Sequence, residues 1–384
     1  MAQTKVKSGL IDGGLGTDWQ SAIKTSNFTA EAGKGYFVDT SSNAVTVTLP
    51  TGSVGDEINF TDYASTFDTN EIIFAQAGSQ KILGDTSNYK CNTENATVRL
   101  IYQNDTKGWT ADNISTVALV IDFLVVAGGG GTGRSDSYYG GGGGAGGFRS
   151  STGVSEGGQS SDTAITATSG TNYTVTVGAA GNGAPNTTSK GSTGSDSVFA
   201  TITSKGGGGG GAHDAVGNGL DGGSGGGAGG NDLANTGGSA LTSPVVHGYD
   251  GGDSAAGVGE GGAGGGGAGS VGASTTTVNG ANGGAAKLSA ITGSNVHYAA
   301  GGGGKRGWQG SEGSRGANGT GNVNSGDGGH LQVDSGNGSS GVVILKYATN
   351  ITLTVGSGLT SSTNIVGSNK VTTFTAGTGT VSFS

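Results

Sequence analysis

The sequence predicts an all-β N-terminal module followed by a glycine-rich polyglycine-II helix bundle bracketed by β-strands, with little or no α-helix. Three observations carry that expectation. The chain has 87 glycines in 384 residues, collected into runs at 140–147, 206–211, 222–230, 261–269 and 301–304. Two apolar segments, Phe123-Leu-Val-Val-Ala127 and Gly341-Val-Val-Ile-Leu345, open and close the region that holds those runs. Before them, residues 31–115 alternate apolar with polar or β-branched side chains, and turn residues interrupt the pattern at intervals of about 8 to 12 residues, as in a small sandwich or barrel.

Residues 1–30 form a lead-in. Thr17 is placed to cap a short helix over 18–24, with Trp19 and Ile23 one turn apart on one face. Within 31–115, Gly35-Tyr-Phe-Val-Asp39, Ala44-Val-Thr-Val-Thr-Leu49, Glu57-Ile-Asn-Phe60, Glu71-Ile-Ile-Phe-Ala75 and Thr97-Val-Arg-Leu-Ile-Tyr102 read as successive strands of a meander, closed by Trp109. The glycine-rich domain is expected over 116–347, interrupted by strand-like Tyr173-Thr-Val-Thr-Val177 and Ser197-Val-Phe-Ala-Thr-Ile-Thr203. Residues 348–384 alternate again and predict two or three C-terminal strands.

A glycine run has no side chain to bury, and glycine loses the most backbone entropy on being fixed. Such a run is either a flexible linker or it packs backbone against backbone, with each amide paired to a neighbouring run. Hydrogen-bonded chains approach to about 5 Å, which leaves no room for a Cβ in the interior. The bracketing strands and the recurrence of runs of similar length favour packing, in the polyglycine-II conformation. Collagen is excluded, because the glycines are consecutive and the chain has only 3 prolines.

Composition narrows the function. A formal net charge of −9 and the lack of a basic stripe argue against nucleic acid as partner. The single cysteine, Cys91, excludes an internal disulfide framework and reads as a small core hydrophobe. The N-terminus has no apolar signal-like segment, and no stretch approaches about 18 apolar residues. The expectation is a product made in the cytoplasm without a signal peptide and without membrane insertion.

The stretch Gly35-Tyr-Phe-Val-Asp-Thr40, Val45-Thr-Val-Thr-Leu-Pro50, Val54-Gly-Asp56, Asp62-Tyr-Ala-Ser-Thr-Phe67 and Lys107-Gly-Trp109 resembles a β module of bacteriophage tail-fibre proteins. The strands bracketing the glycine region, with Gly143-Gly-Ala-Gly-Gly-Phe-Arg149, look like the glycine-rich (polyglycine-II) domain of phage receptor-binding adhesins. The resemblance covers roughly residues 31–347. It implies a virion tail-fibre adhesin, a homotrimer, joined to other virion tail proteins and recognising a host cell-surface receptor, either a polysaccharide or an outer-membrane protein, through loops at the end of the glycine scaffold.

Those loops supply the candidate receptor-binding residues: Arg134, Tyr138, Tyr139, His213, Asp214, Leu233, His247, Tyr249, Arg306 and Trp308. Aromatic residues and Arg are favoured at recognition surfaces. The same aromatics also suit packing over the sides of the scaffold. No cofactor or metal is expected. Gly229-Gly-Asn-Asp-Leu233 is a single, partial calcium-repeat match, the four histidines lack metal-ligand spacing, and Gly301-Gly-Gly-Gly-Lys305 precedes Arg306 instead of Ser or Thr. Carboxylates such as Glu156, Asp214, Glu260 and Glu312 lie among glycine and serine, so the chain is expected not to be an enzyme. A purely structural filament and a glycan depolymerase remain as alternatives.

Overall fold

The computed structural model describes residues 16–111, 115–116, 119–133, 139–153, 160–168, 170–186, 188–213, 216–230, 233–243, 245–257, 260–330, 336–349 and 351–383. The chain divides into two units, the first reaching Leu119 and the second running from Val120 to Phe383, except that residues 168–170 group with the first.

The first unit holds strands β1 (Asp18–Trp19), β2 (Phe28–Thr29), β3 (Lys34–Val38), β4 (Val45–Thr48) and β5 (Glu57–Asp62). It continues with β6 (Ile72–Ala75), β7 (Tyr89–Cys91), β8 (Thr97–Tyr102), β9 (Trp109–Thr110) and β10 (Ser115–Thr116). They form two five-stranded sheets, in the orders β1-β3-β5-β8-β9 and β10-β7-β6-β4-β2. Up to β6 the chain alternates between the sheets, so β1, β3 and β5 pair in parallel, as do β2, β4 and β6. The remaining pairings are antiparallel. The expected meander is corrected in this respect. Alternation every second residue marks the buried face but not the strand that lies alongside.

Between these sheets lie Val45, Val47 and Leu49 from one and Ile58, Phe60, Val98 and Leu100 from the other, with Phe67, Phe74, Cys91 and Trp109. Each such apolar side chain contributes about 1.5–3 kcal/mol by leaving water. The short helix expected over 18–24 is a strand instead: β1 pairs with Lys34 and Gly35. Trp19 stacks on Phe37 with ring centroids 4.9 Å apart. Gly35 makes room for this, since a Cβ there would meet the Trp19 ring at 2.6 Å.

The second unit holds β11 (Leu119–Val126), β12 (Phe148–Ser150), β13 (Ile165–Ala167), β14 (Tyr173–Thr176), β15 (Ser197–Phe199) and β16 (Ile202–Ser204). The hairpin β17 (Lys287–Ser289) and β18 (Val296–Tyr298) follows, then β19 (Val342–Ala348), β20 (Leu353–Val355), β21 (Leu359–Val366) and β22 (Asn369–Phe383). One ten-stranded sheet runs β12-β11-β19-β22-β14-β15-β16, with β13, β20 and β21 attached at its sides. The Gly147 amide beside β12 donates to the Lys205 carbonyl beside β16 at 2.8 Å, so the ends of the sheet nearly close on each other.

This sheet overturns the predicted fold class. Among the described residues there is no α-helix, and no helical polyglycine-II bundle is shown; the unit's regular elements are all β, and its strands are the organising core instead of brackets. β11 and β19 bury both faces: Leu124, Val126, Val342 and Ile344 pack with Phe148, Ile291 and Tyr298. On the other face Phe123 lies 6.1 Å from Phe199. That is why Phe123-Leu-Val-Val-Ala127 is continuously apolar.

The glycine runs are neither α-helix nor β-strand. They leave the sheet, turn and return, alternating in direction, and their amides pair between runs. Gly130 donates to Gly144 and Gly133 to Gly141, while Gly141 donates to Gly211 and Gly144 to Gly208. An added Cβ would lie 2.1 Å from a carbonyl oxygen at Gly143 and 1.8 Å at Gly302, so these positions admit no side chain. A backbone hydrogen bond contributes a net of about 0.5–1.5 kcal/mol, roughly what fixing one residue's backbone costs. The array therefore comes close to balance by itself, and the apolar sheet anchors it.

Candidate receptor-binding surface

Because the runs alternate in direction, their connections fall at two ends. One end adjoins the ten-stranded sheet. At the far end the described ends of the runs at Gly133, Ala212, Gly230 and Lys305 lie together with Tyr139, and backbone bonds tie Tyr139, Gly230, Lys305 and Arg306 into one group. The Tyr139 amide donates to the Arg306 carbonyl at 2.9 Å, and its own carbonyl accepts from Gly230 at 2.7 Å. Lys305 donates to Gly140 at 2.7 Å and accepts from Gly262 at 2.7 Å.

Side chains complete this end. Tyr139 adopts φ 71°, in the left-handed region, and its ring centroid lies 5.2 Å from that of His213. The Arg306 amide donates to Glu312 Oε2 at 2.9 Å, while its Nε stands 3.6 Å from Glu312 Oε1. Trp308 is 64% exposed and Leu233 48% exposed. An exposed Trp beside an Arg–Glu pair can offer an apolar plate with hydrogen-bonding groups at its edge.

The structure thus brings Tyr139, His213 and Arg306 together, with Trp308 and Leu233 on the adjoining turns. Arg134, Tyr138 and Asp214 lie outside the described residues, as do Asn231 and Asp232 of the calcium-like match. Two candidates sit elsewhere. His247 is 0% exposed at the sheet end, and a Cβ on Gly147 would lie 3.2 Å from its Nδ1. Burial, followed by the positive charges of Arg149 and Lys205, lowers its pKa to about 4. Tyr249 is half-buried near the same end, its carbonyl accepting from Gly225 at 3.1 Å. Position in a loop between glycine runs did not separate the two ends; counting successive runs out from and back to the strands does.

Sequence reasoning missed Val278, which is exposed and whose carbonyl accepts from Gly307 at 2.6 Å, bringing the 274–279 turn into the far-end group. Its only signal was its place at the end of a run of threonines.

Residues 105–348 match the model of a glycine-rich domain, and the chain belongs to that family. Residues 14–117 match the N-terminal domain of Bacteriophage T4 gp9/10-like protein. Together the two matches make the chain a bacteriophage tail protein of the tail-fibre class, located in the virion among the other tail proteins. No curated protein matches the chain.

Proposed function

We propose that this tail protein is the receptor-binding part of a fibre, and that the far-end turns contact the host surface. The observation that carries this reading is the convergence of Tyr139, His213, Arg306 and exposed Trp308 on backbone-locked turns. Rigid anchors lose little entropy on binding, and a scaffold that excludes a Cβ at most of its glycines leaves sequence variation largely to the turns. The interaction is non-covalent and needs no catalysis or cofactor. The first unit joins the chain to other tail proteins, and a homotrimer, repeated over several fibres, multiplies weak contacts into avidity.

The test uses purified protein and the bacterium the phage infects. The protein should bind cells and block phage adsorption, and exchanging the 133–139, 213–216 and 305–309 turns for those of a related fibre should shift host range. Protein that binds no cells and blocks no adsorption would leave a purely structural role.

A further inference from the structure

A cavity of about 440 Å³, apart from the far-end turns, lies beside the ten-stranded sheet, between β18, the 318–325 loop and residues Val342 and Thr373. It falls within the usual size of small-ligand sites, about 300–1,000 Å³. Its lining contains no Asp, Glu, Lys or Arg, and His297 is its one imidazole. A charged ligand entering it would shed water without meeting a carboxylate, ammonium or guanidinium group of opposite charge.

What the lining offers is amides. Asn295, Asn318 and Asn322 each present two donors and one acceptor, and Thr373 adds a hydroxyl. Half-buried His297 and Tyr298, only 7% exposed, line it with rings, and Val323, 79% exposed, stands at the rim. A ligand matching this has hydroxyls along its edge, a C–H face to lie against a ring, and no charge. A sugar ring has all three features.

The cavity is also built before any ligand arrives. Asp327 accepts from the amides of Thr320 at 2.9 Å and Gly321 at 2.7 Å. Asn324 Nδ2 donates to the carbonyls of Gly341 at 2.8 Å and Thr375 at 2.6 Å, and Ser325 Oγ donates to Asn322 O at 2.7 Å. Those bonds fix the loop to the sheet, so binding carries little ordering cost.

We propose that this cavity binds one unit of a neutral glycan. The proposal does not rest on the far-end turns, and its readout is separate from theirs. Saturation-transfer NMR on the full chain, with the methyl glycosides of glucose, galactose, mannose, N-acetylglucosamine and N-acetylgalactosamine and with glucuronic acid, tests it. At least one neutral glycoside should show transfer, more strongly than glucuronic acid. Asn295→Ala/Asn322→Ala, at exposed side chains, should weaken binding about tenfold or more through loss of two hydrogen bonds. Val323→Lys should weaken it as well. Transfer from none of the neutral glycosides, preference for glucuronic acid, or binding unaltered in both cavity variants would overturn the proposal.

Discussion

Tyr139 and His213 meet ring to ring at the far end of the glycine array, 5.2 Å apart and tilted by 40°. The contact joins two turns 74 residues apart in the chain, 213 less 139. Exposed Trp308 belongs to a third turn, which reaches them through the bond from Tyr139 N to Arg306 O. Trp308→Ala, at a side chain 64% exposed, should therefore reduce cell binding with a smaller loss of thermal stability than Tyr139→Ala. Tyr139→Ala should lower both, because its ring also packs. Paired melting curves and cell-binding titrations separate the two effects.

The array should reject side chains by position. At Gly302 a Cβ would stand 1.8 Å from the Gly329 oxygen, whereas at Gly147 the nearest atom is 3.1 Å away. Gly302→Ala should cost about 3 kcal/mol or more, the upper range of overpacking. Gly147→Ala should stay within about 1 kcal/mol. Denaturant melts of the two variants make the comparison, and equal stability would show that the backbone relaxes around the new methyl.

Buried His247 should make stability fall in mild acid. Its folded pKa is lowered to about 4, from the ordinary histidine value of 6.5. Between those values the unfolded chain takes up a proton that the folded chain does not, so folding loses ground as pH drops. The contribution is fully present above pH 6.5, declines through the interval and is gone below about 4. The shift corresponds to roughly 3 kcal/mol. In His247→Leu the stability difference between pH 7 and pH 4.5 should shrink by most of that amount. An unchanged slope would mean that other groups set it.

Asp327 is buried, and its carboxylate receives the amides of Ala300, Thr320 and Gly321, with Arg315 Nη1 3.7 Å away. Burial raises its pKa while those amides and Arg315 pull it back. Asp327→Ala would strand three donors and the Arg315 charge, and should cost about 3–5 kcal/mol. Asp327→Asn keeps one acceptor oxygen and should cost less. Chemical denaturation of both variants at pH 7 reads the order.

Much of the architecture was legible in local pattern. Val45-Thr-Val-Thr48 is β4, with Val45 and Val47 buried as the alternation required, and Phe123-Leu-Val-Val-Ala127 coincides with the buried half of β11. Strand partners were not legible, because alternation is the same for a parallel and an antiparallel neighbour. Asp18–Trp19 looked helical from the spacing of Trp19 and Ile23, yet pairing with Lys34 and Gly35 makes it a strand. His247 looked like its neighbours in the candidate set, since exposure depends on which end of the array a turn occupies.

By itself the sequence determined where side chains are missing and where they alternate, and therefore which segments pair through backbone alone and which bury an apolar face. Only the tertiary structure decided that β22 runs through the middle of the sheet, between β19 and β14. It also set which turns gather at the far end and which residues wall the cavity beside β18. Those outcomes depend on contacts between residues tens to hundreds of positions apart, and a local repeat carries no record of its distant neighbour.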